Sequence, residues 1–215
     1  MRRIVHILLP VLLGLTTVGA AALPTNLSPA EQSALATLKA RQRVVEQAQA
    51  QLARAPRNPA RQAALDQAIR ETFDFEKLAR VSIGAYWQRM TSAQREEYLR
   101  LFTNLVQAST VRKLKAYRAA GTEYVSIEGD TNLTVITTVV TSTSGDQAAI
   151  QYKLYAVNGR WWIWDTTIGL DTEISEYDVS TAQNYKSTFN RIIRTDGIPG
   201  LLSKLRAKAT GGEEL

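Results

Sequence analysis

Residues 133–167 read LTVITTVVTSTSGDQAAIQYKLYAVNGRWWIWDTT, and three strands can be placed in them. Leu133 to Ser142 is rich in threonine and valine, side chains that suit a pleated, half-buried surface. Ser144-Gly145-Asp146 forms a turn. From Ala149 to Val157 the chain alternates, with Ile150, Tyr152 and Leu154 on one face. Asn158-Gly159 is the strongest short hairpin signal a sequence can carry. Trp161 to Thr167 then returns as the next strand, its tryptophans Trp161, Trp162 and Trp164 reaching both faces. One strand precedes these: from Glu123 the apolar period is two, with Tyr124, Val125 and Ile127 as its start. Four sequential strands joined by short turns make an antiparallel meander.

Helices flank the sheet on both sides. Ser28-Pro29-Ala30-Glu31 is a capping box with proline at the first helical position. The helix it opens should run to about Ala53, with Leu35, Leu38, Val45 and Leu52 as a narrow apolar stripe. Pro56 and Pro59 break it. Asn58 caps a second helix that turns Leu65 and Ile69 inward. Asp74 caps a third, with Phe75, Leu78 and Val81 apolar and Gly84 as its stop. Thr91-Ser92-Ala93-Gln94 is a second capping box. It opens a long helix expected to reach Ala120, with Gly121 ending it. Tyr98, Leu101, Phe102, Leu105 and Val106 share one face of it. Val111, Leu114 and Tyr117 fall on another side, so the helix bends or meets a second neighbour. After the sheet, Leu170 to Val179 is polar and irregular. Ser180 caps a helix carrying Tyr185, Phe189, Ile192 and Ile193, which Gly197 ends. Pro199 starts a last one with Leu201, Leu202 and Leu205. The fold class is α+β: helices packed on a four-stranded antiparallel sheet, in one domain over residues 23–209.

Residues 1–22 have the zones of a secretory leader. Arg2 and Arg3 are followed by a mostly apolar run, Ile4 to Leu15, and by small residues ending at Ala22. The run is shorter than the ~20 residues that span a bilayer. Cleavage after Ala22 and a periplasmic location are the expectation. Residues 210–215 read as a disordered tail. The formal charge of the 215-residue chain is +6. Removing Arg2 and Arg3 brings it to +4, a mildly basic balance that serves solubility first, would help transient contact with an anionic lipid surface, and is too weak to argue for nucleic acid. The basic group Arg112, Lys113, Lys115 and Arg118 ends the long helix. It suits either such a surface or the negative end of the helix macrodipole. The chain has no cysteine, and its one histidine, His6, lies in the leader. The remainder therefore lacks the commonest general base, the commonest metal ligand and the best thiol nucleophile. No disulfide, metal or cofactor is expected.

Two ordered sets of residues carry a resemblance. The first is Phe73-Asp74-Phe75, then Ile83-Gly84-Ala85-Tyr86-Trp87, Ser92-Ala93-Gln94-Arg95 and Phe102. The second is Trp161-Trp162-Ile163-Trp164-Asp165, then Asn184-Tyr185-Lys186-Ser187-Thr188-Phe189 and Gly197-Ile198-Pro199-Gly200-Leu201-Leu202. In order and spacing they resemble the MlaC, or toluene-tolerance, family of periplasmic phospholipid-binding proteins, with the hopanoid-associated HpnM branch similar too. The resemblance covers about Phe73 to Lys208. It implies helices over a curved sheet with an apolar cavity for acyl chains, no cofactor and no covalent chemistry. It also implies a shuttle between an outer-membrane lipoprotein–porin complex and the lipid-binding subunit of an inner-membrane ABC transporter. Three departures stand out. Lys186 occupies the position of the family's arginine and cannot offer its planar fork. The Gly169 to Gln183 segment is longer than the usual link, and the first helix matches little.

Leu78, Val81, Tyr98, Leu101, Phe102, Leu105, Val106, Ile150, Tyr152, Leu154, Phe189 and Ile193 are the candidate lipid-lining residues. An acyl chain needs a long apolar volume, and each buried CH₂ contributes ~0.8 kcal/mol. The competing reading for each residue is ordinary core. Two other classes are weighed. One is a small cone-shaped enzyme using Asp165 with Tyr152 or Tyr155. The other is an adaptor with a filled core. The ligand, in the carrier reading, is a phospholipid or a hopanoid.

Overall fold

A computed structural model describes residues 23, 26–116, 119–169 and 172–209. The expected leader and the tail lie outside these residues, as do the side chains of Leu114, Tyr117 and the basic group Arg112, Lys113, Lys115 and Arg118. The elements are α1 (Pro29–Arg54), α2 (Pro59–Thr72), α3 (Phe75–Ile83), a short 3₁₀ helix (Gly84–Arg89), α4 (Ser92–Ala116), β1 (Ala119–Gly129), β2 (Leu133–Ser142), β3 (Gln147–Val157), β4 (Arg160–Ile168) and α5 (Thr181–Ala209).

The helices start where their caps dictate. Ser28 Oγ accepts from the Glu31 N–H at 3.3 Å, and the Glu31 carboxylate accepts from the Ser28 N–H at 2.8 Å. Thr91 and Gln94 repeat this reciprocal pair before α4, and Ser180 and Gln183 do so before α5. Asn58 and Asp74 each accept one orphan N–H, from Arg61 and Lys77. Each such cap stabilises its helix by about 1 kcal/mol. Gly197, with φ 68°, interrupts α5, and Pro199 begins the second stretch, where a missing N–H costs nothing.

The sheet is the antiparallel meander β1-β2-β3-β4. Asn158 and Gly159 both have positive φ, 52° and 74°, the pair of left-handed residues that a two-residue hairpin needs. Two boundaries differ from expectation. The helix expected to reach Ala120 ends at Ala116, and β1 begins at Ala119 rather than Glu123. The end of β2 is the reason: Val139 to Ser142 pair with Ala119 to Glu123, and a helix through Ala120 would leave those backbone groups unpaired. Gly121 therefore sits in a strand, beside a register shift. The 3₁₀ turn after Gly84 was also not foreseen.

Two apolar clusters form instead of one. The larger is helical and joins α2, α3, α4 and α5 with Leu52 of α1. The smaller lies between the first half of α1 and one face of the sheet: Ala34, Leu35 and Leu38 against Ile127, Ile136, Leu154, Trp161 and Ile163. Phe73 packs on both. It lies next to the sheet edge, where it bridges to Ile163 and the following Asp74 N–H donates to the Ile163 carbonyl at 2.8 Å. The other connection is α1 itself. Leu35 and Leu38 belong to the sheet-side cluster, while Val45, Ala48 and Leu52 pack with the helices.

Candidate functional site

The twelve candidate lining residues divide between these clusters. Leu78, Tyr98, Leu101, Phe102, Val106, Phe189 and Ile193 are buried together among the helices, with Leu105 half-buried at the edge. Their centre is aromatic. The Phe102 ring lies 5.6 Å from Tyr98, 5.7 Å from Phe189 and 5.0 Å from Tyr185, mostly edge to face, an arrangement that aligns ring edges with ring faces. The Tyr98 hydroxyl donates to the Ala79 carbonyl at 3.0 Å, and burial raises its pKa well above the ordinary value. Leu154 is buried in the sheet-side cluster, with Tyr152 at its border. Ile150 is half-buried on β3. Val81 is 37 % exposed, on the solvent side of α3, and does not join the others. Leu105 and Leu154, both expected to line one cavity, belong to different clusters.

Where the two clusters part, α1 presents polar residues to the sheet. The Tyr124 hydroxyl donates to Gln42 Oε1, and Gln42 Nε2 donates to the Tyr152 hydroxyl at 3.3 Å. Burial pushes the Tyr124 phenol up to about 12, with Tyr152 and Glu46 adding to it and Arg43 opposing. Burial also raises Tyr152. Beside these residues opens a cleft of about 430 Å³ lined by Lys39, Gln42, Arg43, Glu46, Ala120, Gly121, Thr122 and Tyr124. The Lys39 ammonium lies 4.7 Å from the centroid of the Tyr124 ring. None of the cleft residues on α1 was singled out from sequence. The available signal was Gln42 itself, a polar residue interrupting the apolar stripe between Leu38 and Val45.

Asp165 does not pair with a tyrosine. It is 2 % exposed, and its oxygens accept from the N–H of Thr166 at 3.0 Å, the N–H of Ala182 at 2.9 Å and the Lys153 ammonium at 3.3 Å. It thereby fastens β3 and β4 to the first turn of α5. Tyr155 instead donates to Asp74, and the Lys77 ammonium lies over its ring at 3.3 Å. The proton-transfer pairing weighed for Asp165 with Tyr152 or Tyr155 is thus not formed. Asp165→Ala leaves a buried helix N–H and a half-covered ammonium without their acceptor. Stability is expected to fall by about 2–3 kcal/mol, read as a lower urea midpoint. An unchanged midpoint would show that Asp165 does not fasten these elements.

The family model described as MlaC protein matches residues 38–207. The chain belongs to the MlaC family. Among solved structures, this MlaC-family chain is similar to a phospholipid-binding protein from Ralstonia solanacearum, solved in complex with a phospholipid. The two are 20% identical, with a TM-score of 0.69 over 83% of this chain and 97% of that one. At that identity the match shows a shared fold. No curated protein matches. No helix among the described residues is long and apolar enough to cross a membrane, and no three potential metal-ligating side chains gather among them.

Proposed function

We propose that this MlaC-family protein is a periplasmic phospholipid carrier rather than an enzyme. It takes lipid from one membrane and delivers it to the other. The observation that carries this reading is the fold: the R. solanacearum protein of the same architecture was solved with a phospholipid bound. The divided core supports this reading. The helical and sheet-side clusters are separate and bridged by α1 and Phe73, and a seam between two clusters parts at lower cost than a single close-packed core. Leu105 and Tyr152, each half-buried and packed against one of the clusters, are the residues we assign to the acyl chains first, with the half-buried Ile150 beside Tyr152 on β3. Phe102 and Val106 are buried in the cluster that Leu105 packs against, and Leu154 in the cluster that Tyr152 packs against.

The binding energy is non-directional. At ~0.8 kcal/mol per buried CH₂, two acyl chains are held firmly without an ion pair. A carrier can then release its cargo to a second apolar surface. The donors and acceptors we propose are the outer-membrane lipoprotein–porin complex and the lipid-binding subunit of an inner-membrane ABC transporter, reached after removal of residues 1–22.

Protein purified without detergent is expected to carry about one lipid molecule per chain, because an empty apolar space forfeits its packing contacts. Native mass spectrometry followed by organic extraction reads both stoichiometry and mass. A phospholipid mass supports the reading, and a hopanoid mass moves the carrier to a different cargo. Protein that arrives empty and takes up nothing from vesicles rules out carriage.

A further inference from the structure

The cleft between α1 and β1 has a charge pattern that the acyl chains do not need. Lys39 and Arg43 stand one turn apart on α1, and Glu46 follows about 4.5 Å further along the axis. Among the described residues, none of the three is engaged in an ion pair. Two neighbouring cations and one anion on the next turn form a fixed dipole on a single helix face. The opposite wall leaves room for an occupant: a Cβ added at Gly121 would meet nothing within 4 Å. The floor is rigid, because Gln42 ties the Tyr124 and Tyr152 hydroxyls together. Lys39 is drawn to the Tyr124 ring face, which narrows the positions its ammonium visits. The cleft also has the right place in the fold. Three of its α1 residues, Lys39, Gln42 and Arg43, lie between Leu38, in the sheet-side cluster, and Val45, packed with the helices, and Glu46 follows Val45 directly. It therefore lies where α1 passes from one cluster to the other.

We propose that this cleft recognises the phosphoethanolamine headgroup of the carried lipid, with the phosphate between Lys39 and Arg43 and the ammonium against Glu46. The two-carbon spacer of that headgroup separates its charges by a distance close to the rise of about 4.5 Å from Arg43 to Glu46, with Lys39 reaching the phosphate from the turn before. Arg43 offers a planar fork to phosphate, and Lys39 a point charge. Glu46 is what distinguishes an ammonium-bearing headgroup from a purely anionic one. This inference rests on the carrier reading above, and its test separates the two.

Lipid-free protein is incubated with vesicles containing phosphatidylethanolamine, phosphatidylglycerol or diacylglycerol of identical acyl chains, and the lipid taken up per chain is measured. Wild-type protein is expected to prefer phosphatidylethanolamine over diacylglycerol by roughly tenfold. Lys39→Gln with Arg43→Gln should bring that ratio near one while leaving diacylglycerol uptake unchanged. Glu46→Gln should erase the preference for phosphatidylethanolamine over phosphatidylglycerol and leave the rest. Gly121→Leu, which fills the cleft without touching a charge, should lower uptake of both phospholipids relative to diacylglycerol. Circular dichroism confirms that each variant is folded. Equal uptake of all three lipids by wild-type protein overturns the headgroup site and leaves the carrier standing. A double variant that keeps its preference does the same. No uptake of any lipid overturns both. Inorganic phosphate titrated into lipid-free protein separates a headgroup from a free anion. Saturable phosphate binding that leaves lipid uptake unchanged identifies a free-anion site and overturns the assignment.

Discussion

Leu154→Asp is expected to unfold the protein, whereas Leu105→Glu is expected to leave it folded and poor at holding lipid. Leu154 is 1 % exposed, pairs across the sheet with Thr134 and Ile163, and packs in the cluster under α1. Its neighbours in that cluster are apolar side chains. An unpaired carboxylate in such a place costs several kcal/mol even after its pKa rises, a large share of the about 5–15 kcal/mol that holds a typical fold. Leu105 is half-buried at the edge of the helical cluster. Water can reach a glutamate there, so the fold survives, while an acyl chain alongside it loses its apolar neighbour. Circular dichroism and uptake from vesicles read the two variants together. If Leu154→Asp stays folded and loses lipid, Leu154 faces the ligand and not a closed core. If Leu105→Glu binds normally, the acyl chains run elsewhere.

Phe102→Ala has the second largest expected effect. Phe102 is fully buried and its ring is shared by Tyr98, Tyr185 and Phe189. Those three come from α4 and α5, so the ring joins two helices and cannot be replaced by a local shift. Truncation removes its transfer energy and leaves a cavity between rigid aromatic rings, about 3–5 kcal/mol in all. For a chain of this size the melting temperature should drop by roughly 10 °C. A drop of only a degree or two would mean that the helices close over the gap and that the aromatic cluster is loosely packed.

The helix starts were legible because each is written locally. Ser28 with Glu31, Thr91 with Gln94 and Ser180 with Gln183 carry their partners three residues away, and Asn158-Gly159 carries its turn in two residues. The end of α4 was not legible, because what ends it is remote: β2 claims Ala119 to Glu123 as pairing partners. The first strand was blurred by a second register shift between Tyr124 and Ser126. It places Tyr124 and Ile127 in the same cluster at a spacing of three, where a regular strand would give two. The candidate lining residues were found by their apolar periodicity. Periodicity says that a residue faces inward, and not which of two clusters it faces. That is why Leu105 and Leu154 were joined in one space, and why Val81 was read as inward. The polar cleft was missed for the opposite reason. Lys39, Arg43 and Glu46 look like any solvated helix face until Tyr124 arrives opposite them from a strand some eighty residues away.

Helix α1 belongs to two cores at once. Its 26 residues make a rod about 39 Å long, with one end on the sheet and the other on the helices. Such a rod makes the two clusters mechanically interdependent. Neither can swell while the other stays tight unless α1 tilts or frays, and the point about which it would pivot is the Gln42 contact with two tyrosines. Amide exchange along α1 should therefore divide near Gln42 into two protection classes, each set by the local opening of a different core. Filling the seam should raise both classes together, turning two loosely coupled halves into one cooperative unit.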